Sequence, residues 1–139
     1  MSKFIEETFV PVKIHVKEQP ENFKRFGAPW TPTQILTDPD GVERFRLEGF
    51  LPVNDFLAQL ELGLGKWAFQ TARYDDAQKW FRHVYEAYPE TSAAAEAGYW
   101  AGVSAYKATN KTEYLKETGK ILQQSHPQSE WAKKASVWL

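Results

Sequence analysis

The sequence predicts an α+β protein that is predominantly α. Three observations carry that reading. Apolar residues alternate with a period of two in stretches before Pro52, the period lengthens to about 3.6 after it, and the helical part repeats itself at an offset of 38 residues, from Pro89 to Pro127. With 42% hydrophobic and 15% aromatic content, the 139 residues can bury one medium-sized core or two small units sharing an interface.

The alternation is clearest in "FVPVKIHV", where Val10, Val12, Ile14 and Val16 share one side and Lys13 and His15 the other, the pattern of a strand. "PENFKRFG" starts on Pro20, spaces Phe23 and Phe26 three apart and stops at Gly27, which predicts one or two helical turns. "TQILTD" and "VERFRLEG" flank "PDG" and predict a hairpin. Beyond Pro52, Val53, Phe56, Leu57, Leu60 and Leu64 form one helical stripe. Ala77, Trp80, Phe81, Val84, Tyr85 and Tyr88 form a second, opened by Asp75 and Asp76 and closed by Pro89. "ETSAAAEAGYWAGVSAYKA" and "KTEYLKETGKILQQS" predict two more helices, split at Thr109 and Asn110, and "PQSEWAKKASVWL" starts another.

Seventeen basic and eighteen acidic residues are interspersed, giving a net charge of -1, so there is no electrostatic footprint for nucleic acid. No apolar run approaches the ~18 residues of a membrane span, and "MSKFIEETF" carries acids where a signal peptide is apolar, so the expectation is a cytoplasmic chain off the membrane. The absence of cysteine excludes disulfides, thiolate catalysis and thiolate-bound metal within these residues. His15, His83 and His126 show no ligand spacing, so neither metal nor cofactor is expected. Asp75 and Asp76 read as helix-start carboxylates rather than an acid–base pair, and Glu113, Lys116, Glu117 and Lys120 as a solvated face.

The 38-residue offset pairs Ala94 with Ala132, Ala97 with Ala135 and Gly98 with Ser136, as expected of stacked helix pairs. In "LGKWAFQTARYDDAQKWFRHVYEAYP", Leu64, Gly65, Tyr74, Ala77, Phe81 and Pro89 resemble the tetratricopeptide repeat. The resemblance is good over residues 58–91. It weakens over 95–127, where Tyr114 and Thr118 stand in place of a small residue and an aromatic, and the period exceeds the family's roughly 34 residues.

Residues 2–62 resemble the second half of a thioredoxin-fold domain. "SKFIEETFVPVKIHV" resembles the end of the active-site helix and the strand after it. "WTPTQILTDPDGVERFRLEG" is similar to the cis-proline loop and final hairpin, and "PVNDFLAQLEL" to the closing helix. The resemblance implies a partial thioredoxin-like β-α-β-β-α unit over residues 1–62, followed by tetratricopeptide-like helical hairpins over 63–139 that share an interface with it. It also implies that Pro32 is cis and that the backbone before it binds an extended peptide. The first half of that fold, with its Cys-x-x-Cys motif and central strand, has no counterpart here. Its absence leaves the strands at 10–16 and 33–37 with open edges, which call for direct pairing, pairing across a homodimer, or a longer natural protein.

Thr31 and Pro32 are therefore candidate peptide contacts. On the helices the candidates are Lys66, Tyr99 and Tyr106, which belong to helices that would face the concave side of a repeat array, and Trp67 and Trp100, which either line a peptide groove or fill space between helices; Trp80 is read as core. No nucleophile–base pair, phosphate-cradling loop or metal set stands out, so the expected function is non-catalytic binding of a protein or extended peptide partner. The alternative is a fragment of a longer thioredoxin-like thiol-disulfide oxidoreductase whose Cys-x-x-Cys lies upstream of Met1.

Overall fold

The computed structural model describes residues 1–139 and is α+β, mostly α. Two short helices come first, α1 (Ser2–Thr8) and α2 (Pro20–Arg25). The strands β1 (Thr33–Thr37) and β2 (Glu43–Glu48) follow, then five helices: α3 (Val53–Gln70), α4 (Tyr74–Ala87), α5 (Ala93–Thr109), α6 (Glu113–Ser125) and α7 (Glu130–Ala135). A 3₁₀ turn, Ser136–Trp138, closes the chain.

The strand expected at 10–16 does not form. These residues lie outside any helix or strand and follow α1, whose last residue is capped at an extended Phe9. Between Val10 and Ile14 no backbone group bonds to another backbone group, and Val10 and Val12 are 91% and 79% exposed. Alternation favours an extended backbone, but a strand also needs a neighbour for its N–H and C=O groups, and none comes within reach. The sheet is the hairpin alone, β1 antiparallel to β2, so the expected β-α-β-β-α unit is observed as α-α-β-β-α.

The hairpin is organised by Asp38, the single buried residue among residues 1–57. Its Oδ1 accepts from the N–H groups of Asp40 (3.0 Å) and Val42 (2.9 Å), and its Oδ2 accepts from Arg44 Nε (2.9 Å). The Val42 N–H does most to hold the Asp38 pKa below its ordinary value, with Arg44 and the Asp40 N–H adding to it against the upward push of burial. Gly41 takes φ +80°, a turn conformation that a side chain would strain. Arg46 ties α2 to this hairpin: its guanidinium pairs with Glu43 at 2.8 Å and donates to the carbonyl of Phe26 at 2.5 Å.

No helix breaker interrupts the stripe after Pro52, so α3 runs for 18 residues, straight through the boundary that the sequence suggests between 62 and 63. It therefore serves both parts. Gly63 lets the Phe45 ring of β2 lie directly against the helix, because a Cβ there would sit 2.7 Å from the ring. Further along, Leu62 and Ala68 join Ala77, Phe81 and Val84 of α4 and Ala93 and Ala97 of α5 in the main core. Consecutive helices pack in pairs from α3 to α7, and α5 also touches both α3 and α7.

One carboxylate is buried in this helical core. Glu61 of α3 bonds His83 Nδ1 through one oxygen, and through the other accepts from the Tyr88 hydroxyl at 3.3 Å, both partners belonging to the α4 segment. A buried carboxylate without such partners costs several kcal/mol, roughly, so the pair fixes how α3 faces α4. Burial, aided by the negative Glu61, raises the Tyr88 pKa above its ordinary value.

Candidate functional site

The Thr31–Pro32 peptide bond is cis, as the resemblance implied. The loop around it is pinned on both flanks. The Pro32 carbonyl accepts from Gly49 N–H (2.8 Å), extending the β1–β2 ladder, and Thr33 Oγ1 donates to the Trp30 carbonyl (2.7 Å). Between those bonds, the N–H and C=O of Thr31 take part in no hydrogen bond within the chain. Gly49, at φ +91°, turns the chain after β2 and is followed at once by Phe50. The result is a pinned loop in which Thr31 has an unpaired N–H and C=O, with exposed aromatics beside it in the chain at Trp30 (69%) and beside Gly49 at Phe50 (82%).

Trp30 and Phe50 were not among the residues that sequence pattern picked out. The available signal was negative: both are aromatics among turn residues, belonging to no stripe of either period. Such rings have no core to enter, and in a folded chain they end at the surface.

The helical candidates are held in internal contacts. Lys66 reaches Glu96 of α5 at 2.6 Å and lies 5.7 Å from the Phe45 ring centroid, so it links β2, α3 and α5. Trp67 is half-buried beneath the Arg73 guanidinium, 4.7 Å from the ring. Tyr99 stacks on Trp138 with centroids 4.9 Å apart, and Trp100 stands edge-on to Phe69 at 5.1 Å. The indole N–H of Trp100 is buried without an acceptor. Tyr106 is half-buried, and its carbonyl accepts from Asn110 N–H. The structure thus brings Tyr99 and Trp100 into an aromatic ladder with Trp131 and Trp138, while Thr31 and Pro32 lie apart in the hairpin unit. Trp80 is half-buried and lines a cleft with Phe4, Lys79 and His83. No three His, Asp or Glu side chains converge as a metal set, and no helix is long and apolar enough to cross a membrane.

The pinned proline loop, the hairpin behind it and the helix that closes them lie within one sequence match. Residues 1–64 match the model of a thioredoxin-like domain. The matched stretch runs from α1 through the first two-thirds of α3 and includes Trp30, Thr31, Pro32 and Phe50. Comparison with curated proteins and with solved structures finds no significant match.

Proposed function

We propose that this chain is a non-catalytic protein-interaction module in which a thioredoxin-like loop, carried on tetratricopeptide-like helical hairpins, binds an extended peptide of a partner protein. The observation that carries this reading is the unpaired N–H and C=O of Thr31, which follows exposed Trp30 in the chain and lies next to the Pro32–Gly49 bond that precedes exposed Phe50. An extended ligand gains main-chain hydrogen bonds from such a unit, and flanking aromatics supply the apolar contacts that concentrate binding energy. The repeat reading is supported by one packing motif used twice. Gly65 faces Phe81 in the first hairpin and Gly102 faces Thr118 in the second, both members displaced by 37 residues. With no cysteine in the chain, the loop acts here by binding alone.

The test is selection of binders from a phage-displayed library of unstructured peptides, followed by calorimetry on the peptides obtained. Trp30→Ala and Phe50→Ala should each weaken binding by about tenfold or more, the range of hot-spot contacts, with circular dichroism unchanged. Peptides whose affinity is indifferent to both substitutions would rule the loop out as the site.

A second reading draws on the lack of any buried apolar residue in residues 1–57. A unit with so little core of its own is completed by further polypeptide, and the alternative is a thiol-disulfide oxidoreductase whose cysteines lie on a segment upstream. The intact mass of the native protein, recovered from its cells with an antibody to this chain, separates the two. A mass near 16.0 kDa supports the binding module; a larger product with alkylatable cysteines supports the oxidoreductase.

A further inference from the structure

The open edge of β1 carries an inference beyond peptide binding at Thr31. The Pro32 carbonyl bonds Gly49, and the ladder continues in phase through the opposed pairs Gln34 with Leu47 and Leu36 with Phe45. Backbone groups alternate in direction along a strand, so those of Thr33, Ile35 and Thr37 point away from β2. Nothing in the sheet pairs with them, since β1 and β2 are its only strands. Natural edge strands are guarded by lysine, proline or an inward charge, and "TQILT" contains none of these. An unguarded edge of this kind accepts a further strand.

The same chain offers a segment of the matching kind. Val10 to Ile14 alternates apolar residues in sequence, lies outside any helix or strand, has no backbone partner, and exposes Val10 and Val12 while half-burying Ile14. Strand and edge do not meet within one molecule. We propose that they meet between two copies, the 10–14 segment of each lying antiparallel along the β1 edge of the other, with Val10 opposite Thr37, Val12 opposite Ile35 and Ile14 opposite Thr33. In this register Val12, one of the paired residues, supplies both N–H and C=O, while Pro11, which has no N–H, turns its nitrogen away from the edge. Lys13, which forms no ion pair, stands opposite Gln34, whose buried Oε1 has no donor.

Charge favours this occupant. Lys13 is the one charge in the segment, while Asp38, Asp40, Glu43 and Glu48 outnumber Arg44 and Arg46 on the hairpin. Pairing two copies under a two-fold axis satisfies both open edges at once and closes the assembly at two chains. Thr31 lies beyond the last paired residue, so the dimer and the peptide site are separate claims.

Sedimentation velocity from micromolar to near-millimolar concentration tests the proposal. The expected result is a rise from a 16.0 kDa monomer to twice that mass, with the amides of Val12 and Ile35 slowing in hydrogen exchange as the dimer forms. Val12→Pro removes one ladder donor from a segment that contributes nothing to the monomer's core, and should weaken association by about tenfold or more with the helical signal unchanged. A chain that stays monomeric throughout, a dimer unaffected by Val12→Pro, or open-ended growth beyond two chains would each overturn reciprocal pairing. None of these outcomes bears on the affinity of peptides for Trp30 and Phe50.

Discussion

A Cβ placed on Gly65 would lie 2.6 Å from the Phe81 ring, which is fully buried in the main core. Alanine would gain roughly 1 kcal/mol of helix propensity over glycine, but forcing a methyl into a packed core costs typically 1–3 kcal/mol. The ring has nowhere to move, so the packing cost dominates. Gly65→Ala should destabilise the protein by about 1–2 kcal/mol, seen as a lower urea midpoint at unchanged slope. Asp38 sets a different kind of limit. Its folded-state pKa lies below the ordinary 3.8, so its contribution is present above that value and is lost as pH falls through the folded-state pKa. Urea titrations of wild type and Asp38→Asn across the acid range should therefore differ at neutral pH and converge as the pH falls through the lowered pKa of Asp38.

Among the elements, α7 shows how a short helix is held. Six residues are too few for a helix to be stable by itself, so α7 depends on its cap and on the layer beneath it. Ser129 Oγ accepts from Ala132 N–H at 3.0 Å, and Ala132 and Ala135 are buried with Leu122. Removing the cap with Ser129→Ala should cost ~1 kcal/mol and speed hydrogen exchange in α7 while α3 and α4 keep theirs. At the other end of the chain, α1 and α2 have no buried residues at all, and α2 is held by the Arg46 bridge to the Phe26 and Gly27 carbonyls.

Taken whole, the molecule is uneven in stability. Its core begins at Ala58, and the hairpin leans on it through Phe45, which lies against Gly63 and 5.7 Å from the Lys66 ammonium. Opening free energy follows buried contacts, so the first 32 residues should exchange and cleave earliest. In dilute solution, limited trypsin should cut first after Lys13, whose segment 10–14 has no backbone–backbone hydrogen bonds, and leave the α3–α7 region intact. Protection of that site at high concentration would accompany the strand-paired dimer. First cleavage within α3–α6 would contradict this ordering of stability.

Much of this architecture was legible in residue order, because it depends on local rules. The hairpin followed from "PDG" between two strand-like runs, and the helices after Pro52 from stripes of period 3.6 that a core can use in only one way. The motif before β1 was also readable, since a proline loop joined to a hairpin is a contiguous signal. What the sequence could not decide was pairing. "VPVKIHV" specifies an extended backbone, but whether it becomes a strand depends on a neighbour distant in sequence, and in the structure none is there. The side-chain candidates were limited in the same way. Helical position made Lys66, Tyr99 and Trp100 candidate contacts, whereas packing committed them to Glu96, Trp138 and Phe69 and left Trp30 and Phe50 uncovered. Periodicity determines which side a residue is on; only the tertiary structure determines what already occupies that side.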